Sequence, residues 1–163
     1  FSQISGAHFN PVVTLVMFML GWNSASQSIK YIISQISGGV LGTWIAHAMF
    51  ELSILQLSEN TRSGLPQYFS EIVATFGLLL TILYGIKYKR EAVPALVALY
   101  IIAAYWFTAS TSFANPAVTI ARTLTDTFSG INYQNTFPFI TAQIIGGILA
   151  FMLFCVIAED KRP

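Results

Sequence analysis

The chain has 163 residues, 55% of them hydrophobic and only 9% charged, with a net charge of +1. An ordinary soluble domain carries about 25% charged residues, and a net charge this close to neutral implies no nucleic-acid or acidic partner. Cys155 is the single cysteine, which excludes an intrachain disulfide and a cysteine-based metal cluster; a mean hydropathy of +0.64 points to an all-α protein set in a lipid bilayer.

In chain order, residues 1–9 read as a polar, flexible approach to Asn10-Pro11. They have neither the basic region nor the cleavage pattern of a signal peptide, and no initiator Met precedes them, so the sequence is expected to begin inside a longer protein. Asn10 reads as an N-cap with Pro11 in the first helical turn. A half-helix over 11–20 follows, closed by Gly21 and the polar run from Asn23 to Ser26. Tyr31 to Phe50 is twenty residues without a charge, the length of one membrane span. A polar loop over 51–66 leads to a second span, about Tyr68 to Ile86, interrupted only by Glu71. Lys87 to Glu91 forms a tight basic turn, and a third span covers roughly Ala92 to Ser110.

The stretch from Ser112 to Arg122 repeats the first motif more strongly: Ser112-Phe113-Ala114-Asn115-Pro116-Ala117-Val118. Pro116 lacks an N–H and suits a first turn, with Asn115 as the cap. The helix it opens is too short to cross a bilayer. A fourth span, Phe137 to Ala158, follows the loop after Asp126. With alternating spans, Lys30, Lys87, Lys89, Arg90, Lys161 and Arg162 fall on one side, which is expected to be cytoplasmic.

An internal repeat accompanies the motifs. Ser34 to Gly42 reappears as Ala142 to Ala150, each copy opening on a small residue followed by Gln35 or Gln143. Gly38/Gly42 and Gly146/Ala150 have the small-xxx-small spacing that lets helix backbones approach closely. If the unit holds three spans, its copies are inverted in the membrane.

These residues resemble the major intrinsic protein family, the aquaporins and aquaglyceroporins. Ser5 to Thr14 is similar to the first family signature, with Val12 where Ala is usual, and Asn115-Pro116-Ala117 matches the second. Glu71, followed by Ile72-Val73-Ala74-Thr75-Phe76, matches the glutamate that the family buries in its fourth span. The resemblance implies an aquaporin-like inverted repeat with two re-entrant half-helices and four of the usual six spans. Residues 1–58 would be the remainder of the first repeat and residues 67–163 the complete second repeat. It also implies a homotetramer, no cofactor, no metal and no catalytic residues.

The resemblance assigns roles to particular side chains. Asn10, Pro11, Asn115, Pro116 and Ala117 would cap the half-helices at mid-membrane, and Gly6, Ala7, His8, Phe113 and Ala114 would line the pore. Glu71 would accept hydrogen bonds from a loop N–H, or be a neutral glutamate tolerated in the interior. Most members place Arg three residues after the second Asn; here that position is Val118. The companion filter positions are Ala103 and Ser112, so the filter reads as wide and uncharged. Arg122, one turn beyond Val118, is either a vestibule charge or a salt-bridge partner of Asp126. His47 reads as an interfacial or packing residue and Cys155 as packing.

The variant from Asn115 to Arg122, followed by Asp126 to Gly130, resembles the bacterial branch associated with arsenic resistance. That resemblance implies a passive inner-membrane channel for small neutral solutes, namely water, glycerol and arsenous acid. A water-selective or general glycerol facilitator, or a non-conducting structural member, remains the alternative. An enzyme finds no support, because the two histidines lie 39 residues apart and no hydrolase motif is present.

Overall fold

A computed structural model describes residues 1–159. Lys161 and Arg162, expected on the cytoplasmic side, lie outside the described residues. Within them the chain is all-helical: α1 (Ser2–Ser5), α2 (Pro11–Met19), α3 (Ala25–Met49), α4 (Leu65–Tyr88), a 3-10 turn (Arg90–Ala92), α5 (Val93–Phe107), α6 (Pro116–Arg122) and α7 (Tyr133–Glu159).

Local chemistry accounts for most boundaries. α3 begins six residues before the expected Tyr31, because the Ser24 hydroxyl accepts the Gln27 N–H at 3.2 Å. Ser24-x-x-Gln27 is a capping-box pattern. α4 opens after Gly64 (φ 104°), with Pro66 in its first turn. The basic turn is the 3-10 segment, and Pro94 starts α5. α5 stops at Phe107 rather than Ser110, since Thr108 takes an extended conformation (φ −105°, ψ 138°). α7 starts at Tyr133 and holds Pro138 inside, at the expense of one helical hydrogen bond. Residues 2–5 are helical, where a flexible approach was expected.

Among the described residues, three helical stretches are long and apolar enough to cross a membrane: Leu65–Tyr88, Arg90–Phe107 and Tyr133–Ile157. α3, at 25 residues, has the length of a span, about 37 Å at 1.5 Å per residue. Its four serines and two glutamines lower its hydropathy.

The chain divides into two compact units. The first comprises residues 1–63 with Asn115–Ile140. In it α3 packs against both α2 and α6. The close approach is made at Gly39, where a Cβ would lie 3.3 Å from the Ala121 Cβ and 3.4 Å from the Ala117 carbonyl oxygen. Gly38 and Gly42, expected to do this, face open space, with nothing within 4 Å. The 3.6-residue period turns Gly39, rather than its neighbours, toward α6. The loop before α4 is tied down by Arg62, whose guanidinium donates to the Gly130 (2.8 Å) and Phe128 (2.9 Å) carbonyls. The Arg62 N–H donates to Asn135 at 3.0 Å, and the Asn60 amide donates to the Thr127 carbonyl.

The second unit comprises Gly64–Ala114 and, of the described residues, 141–159. α4 packs on α5, where the Tyr100 hydroxyl donates to the Ala74 carbonyl at 2.9 Å over the space left by Gly77. Gly146 of α7 lies against α4, and a Cβ there would collide with the Ile72 carbonyl oxygen and sit 3.1 Å from the Phe76 nitrogen. Tyr84 stacks on Tyr88 and meets Phe154 edge-on at 5.4 Å.

Candidate functional site: two asparagine-capped half-helices

The first unit holds both half-helices. Asn10 and Asn115 have the extended backbone of an N-cap (φ −153° and −158°), each followed by Pro at the first helical position. The Asn10 side-chain oxygen accepts the Val12 N–H at 2.9 Å. That of Asn115 accepts the Ala117 N–H at 3.0 Å and the Val118 N–H at 3.4 Å. Thr14 and Thr119, four residues after each Asn, return their hydroxyls to the Asn carbonyls at 3.1 and 2.9 Å. The Asn115 amide also donates to the Phe9 carbonyl at 2.9 Å, so the N-terminal ends of α2 and α6 meet. Each end presents roughly half an elementary positive charge from its aligned peptide dipoles. Asn10 is 4% exposed and Asn115 half-buried.

The loops leading into the two caps repeat residue by residue. Counting back from each Asn, the fourth, third and first residues all have positive φ: Gly6 (74°), Ala7 (52°) and Phe9 (50°), against Thr111 (61°), Ser112 (51°) and Ala114 (48°). Five of these six are not glycine, and each costs on the order of 1 kcal/mol in that region. A chain kept in such a path makes no helical ladder. The carbonyls of Gly6, Ala7 and His8 accept no hydrogen bond among the described residues. His8 is braced instead, its Nδ1 3.2 Å from the Thr14 hydroxyl and its ring edge-on to Tyr31 at 5.5 Å.

In the second unit Glu71 holds the other loop. It is 0% exposed on α4. One carboxylate oxygen accepts the Phe113 N–H at 2.9 Å; the other accepts the Ala114 N–H at 2.8 Å and the Gln143 amide at 2.7 Å. Three donors converge on one buried carboxylate, which fixes the positive-φ turn just before Asn115. Ser112 is buried; its N–H donates to the Ser110 hydroxyl at 3.2 Å, while its own hydroxyl has no partner among the described residues.

Two matched, glycine-poor loops enter Asn-Pro half-helices within an apolar helical chain, and comparison with known proteins gives the chain's family. The family model described as "Major intrinsic protein" matches residues 1–109. The chain belongs to the major intrinsic protein family. It is 50% identical over 160 residues to "Aquaglyceroporin AqpS" of Rhizobium meliloti (strain 1021), covering 98% of this chain and 69% of that protein. It is 27% identical to "Probable aquaporin AqpM" of Archaeoglobus fulgidus, over 97% of this chain and 70% of that protein. It is 29% identical to "Aquaporin-4" of Rattus norvegicus, where it covers 99% of its own length and 54% of that protein's. As a member of the major intrinsic protein family the chain is a membrane channel protein and not an enzyme.

The remaining residues expected at the site of this major intrinsic protein are distributed as follows. Pro116 and Ala117 are buried in the first turn of α6, and Pro11 is half-buried in α2. Val118 is half-buried on α6, and Ala103 is exposed on α5 beside the fully buried Ala104. Arg122 ends α6 and shares with Val118 the wall of a cavity of about 700 Å³ in the first unit. Among the described residues no group of three His, Cys, Asp or Glu side chains could hold a metal ion.

Several supporting contacts escaped the sequence reading, although His47 itself reads as an interfacial or packing residue. Gln143 serves Glu71, and the corresponding Gln35 donates to the Thr14 hydroxyl at 3.0 Å. Their shared place at the head of the repeat was the available signal. His47, 2% exposed, has its Nε2 2.9 Å from the Thr125 hydroxyl and its Nδ1 3.1 Å from the Ile54 carbonyl oxygen. It packs the α3 end against the loop after α6, and nothing local in the sequence names partners that distant.

Proposed function

We propose that this chain belongs to a passive channel for small neutral solutes, with glycerol-like polyols and arsenous acid as the preferred cargo, in a bacterial inner membrane. The reading makes the channel a homotetramer, as the family resemblance implies. The observation that carries it is the paired half-helix ends joined by the Asn115 amide and the Phe9 carbonyl. Positive peptide dipoles repel protons and metal cations at that point, while amide donors and loop carbonyls exchange hydrogen bonds with hydroxyl groups.

Three features support solutes larger than water. Val118 stands where a charged arginine would narrow the passage, and Ala103 and Ser112 are small. The desolvated Ser112 hydroxyl offers a hydrogen bond to a passing hydroxyl. The relative in Rhizobium meliloti bears the name aquaglyceroporin, which favours polyols over water alone. Arsenous acid is an uncharged trihydroxy compound, similar to glycerol in its hydroxyl display, and would cross downhill without an energy source.

The reading is tested by stopped-flow glycerol, arsenite and water flux in vesicles holding the full-length channel. Rapid glycerol and arsenite entry, equal in both directions and independent of any ion gradient, is expected. Water flux without glycerol or arsenite flux would replace this reading with a water-selective channel.

A further inference from the structure

The cavity beside α6 is lined along one side by hydroxyl groups that touch one another. Its wall comes from α3, from the later turns of α6 and from the loop that follows, all within the first unit. In that loop Thr125, Thr127 and Ser129 are buried or half-buried, while Asp126 and Phe128 between them are exposed. The loop is pinned by the segment before α4. The Ser58 N–H donates to the Thr123 carbonyl at 2.9 Å, the Asn60 amide donates to the Thr127 carbonyl, and the Asp126 N–H donates to the Gln56 side-chain oxygen at 2.9 Å. The Thr125 hydroxyl oxygen lies 3.3 Å from that of Thr127, which lies 3.0 Å from that of Ser129. Most of the remaining lining is apolar or small, including Gly42, Ala46, Phe50 and Val118.

His47, near the end of α3, stands at the buried end of this row. Its Nδ1 is 3.1 Å from the Ile54 carbonyl oxygen and its Nε2 is 2.9 Å from the Thr125 hydroxyl. A carbonyl only accepts, so in the neutral ring the proton sits on Nδ1 and Nε2 is an acceptor. Nε2 then takes the Thr125 proton. One order makes both remaining contacts: Thr127 donates to Thr125, and Ser129 donates to Thr127. Each hydroxyl proton is spent inside the row, and the lone pairs left on Thr127 and Ser129 stand at the cavity.

We propose that Thr127 and Ser129 form a binding subsite for neutral polyhydroxy solutes, and that His47 is the positioning residue that turns its lone pairs outward. This rests on the channel reading above and deepens it. A solute with adjacent O–H groups donates to both oxygens at once, and its C–H face meets the apolar lining. A solute with acceptors alone finds no free proton in the row. Because the loop is held in place before the solute arrives, little ordering is left to oppose binding.

The test is exchange of labelled glycerol, over a range of glycerol concentrations, in vesicles holding the full-length channel. Unfolding temperatures in detergent are the control for folding. Thr127→Val and Ser129→Ala each remove one acceptor and are expected to raise the half-saturating glycerol concentration about threefold to tenfold, with a smaller change in the rate at saturation. Thr127→Ser keeps the oxygen and is expected to saturate as the parent does. His47→Leu releases the Thr125 proton and is expected to raise the half-saturating concentration likewise, with His47→Gln, whose amide oxygen can take that proton, recovering part. Exchange in the parent that rises linearly with glycerol and never saturates overturns the subsite while the channel reading stands. Unchanged half-saturation in folded Thr127→Val and Ser129→Ala overturns it too. A rise in those two but none in folded His47→Leu overturns the positioning role of His47. Equal loss of exchange in Thr127→Val and Thr127→Ser makes Thr127 a structural residue and overturns the subsite. A parent that passes no glycerol overturns the channel reading and this one with it.

Discussion

Glu71→Gln removes one acceptor oxygen from a site where three donors converge. The carboxylate now serves the Phe113 and Ala114 N–H groups and the Gln143 amide, at 2.9, 2.8 and 2.7 Å. A carboxamide offers one oxygen and turns an NH2 toward the donors that remain. If its oxygen keeps the pair now held by Oε2, the Phe113 N–H is buried without a partner, at about 1–3 kcal/mol, and the two surviving bonds lose charge assistance worth about 0.5–1 kcal/mol each. A total of about 3 kcal/mol corresponds to about 100-fold in the equilibrium between the formed and relaxed loop. Thr111, Ser112 and Ala114 have φ of 61°, 51° and 48°, and their strain, on the order of 1 kcal/mol apiece, adds to the drive to relax. Glycerol flux per channel in vesicles should fall about tenfold or more, and the unfolding temperature in detergent should drop. Glu71→Asp, one methylene short, should fall between parent and Glu71→Gln. A Glu71→Gln channel with flux within about twofold of the parent and an unchanged unfolding temperature would refute the claim that this carboxylate sets the loop.

Two further predictions concern packing. Gly146→Ala should destabilise by about 1–3 kcal/mol, because its methyl meets the Ile72 carbonyl and the Phe76 nitrogen on α4, whereas Gly38→Ala meets nothing within 4 Å and should be close to neutral; unfolding temperatures of the pair decide it. His47→Ala should cost about 2–4 kcal/mol through the lost contacts to Thr125 and Ile54 and the space left behind, seen as a lower unfolding temperature, with His47→Gln recovering part of it.

The Asn-Pro half-helices were legible because capping is local chemistry: an Asn oxygen, a Pro without an N–H and a short apolar run sit side by side in the sequence. The spans were legible from length and charge, although α3 starts at Ala25 rather than Tyr31 because Ser24 and Gln27 cap it. That signal was present and lay inside what read as a polar loop. The positive-φ path was not legible. Gly6 alone has the residue type for it, while Ala7, Phe9, Thr111, Ser112 and Ala114 adopt it against their own preference. On the second loop the compensation comes from Glu71, some forty residues away. The same holds for glycine. Spacing put Gly38 and Gly42 forward, but the rotation of α3 selects Gly39. His47 and Thr125, 78 residues apart, meet only through the packing of α3 against α6.

The most direct measurement compares arsenite, glycerol and water flux in vesicles holding the full-length channel and its Val118→Arg variant. The account predicts that the parent passes all three, and that the added guanidinium abolishes arsenite and glycerol flux while some water flux survives. A parent that passes water alone, or a Val118→Arg channel that conducts arsenite and glycerol at the parent's rate, would contradict the wide, arginine-free filter.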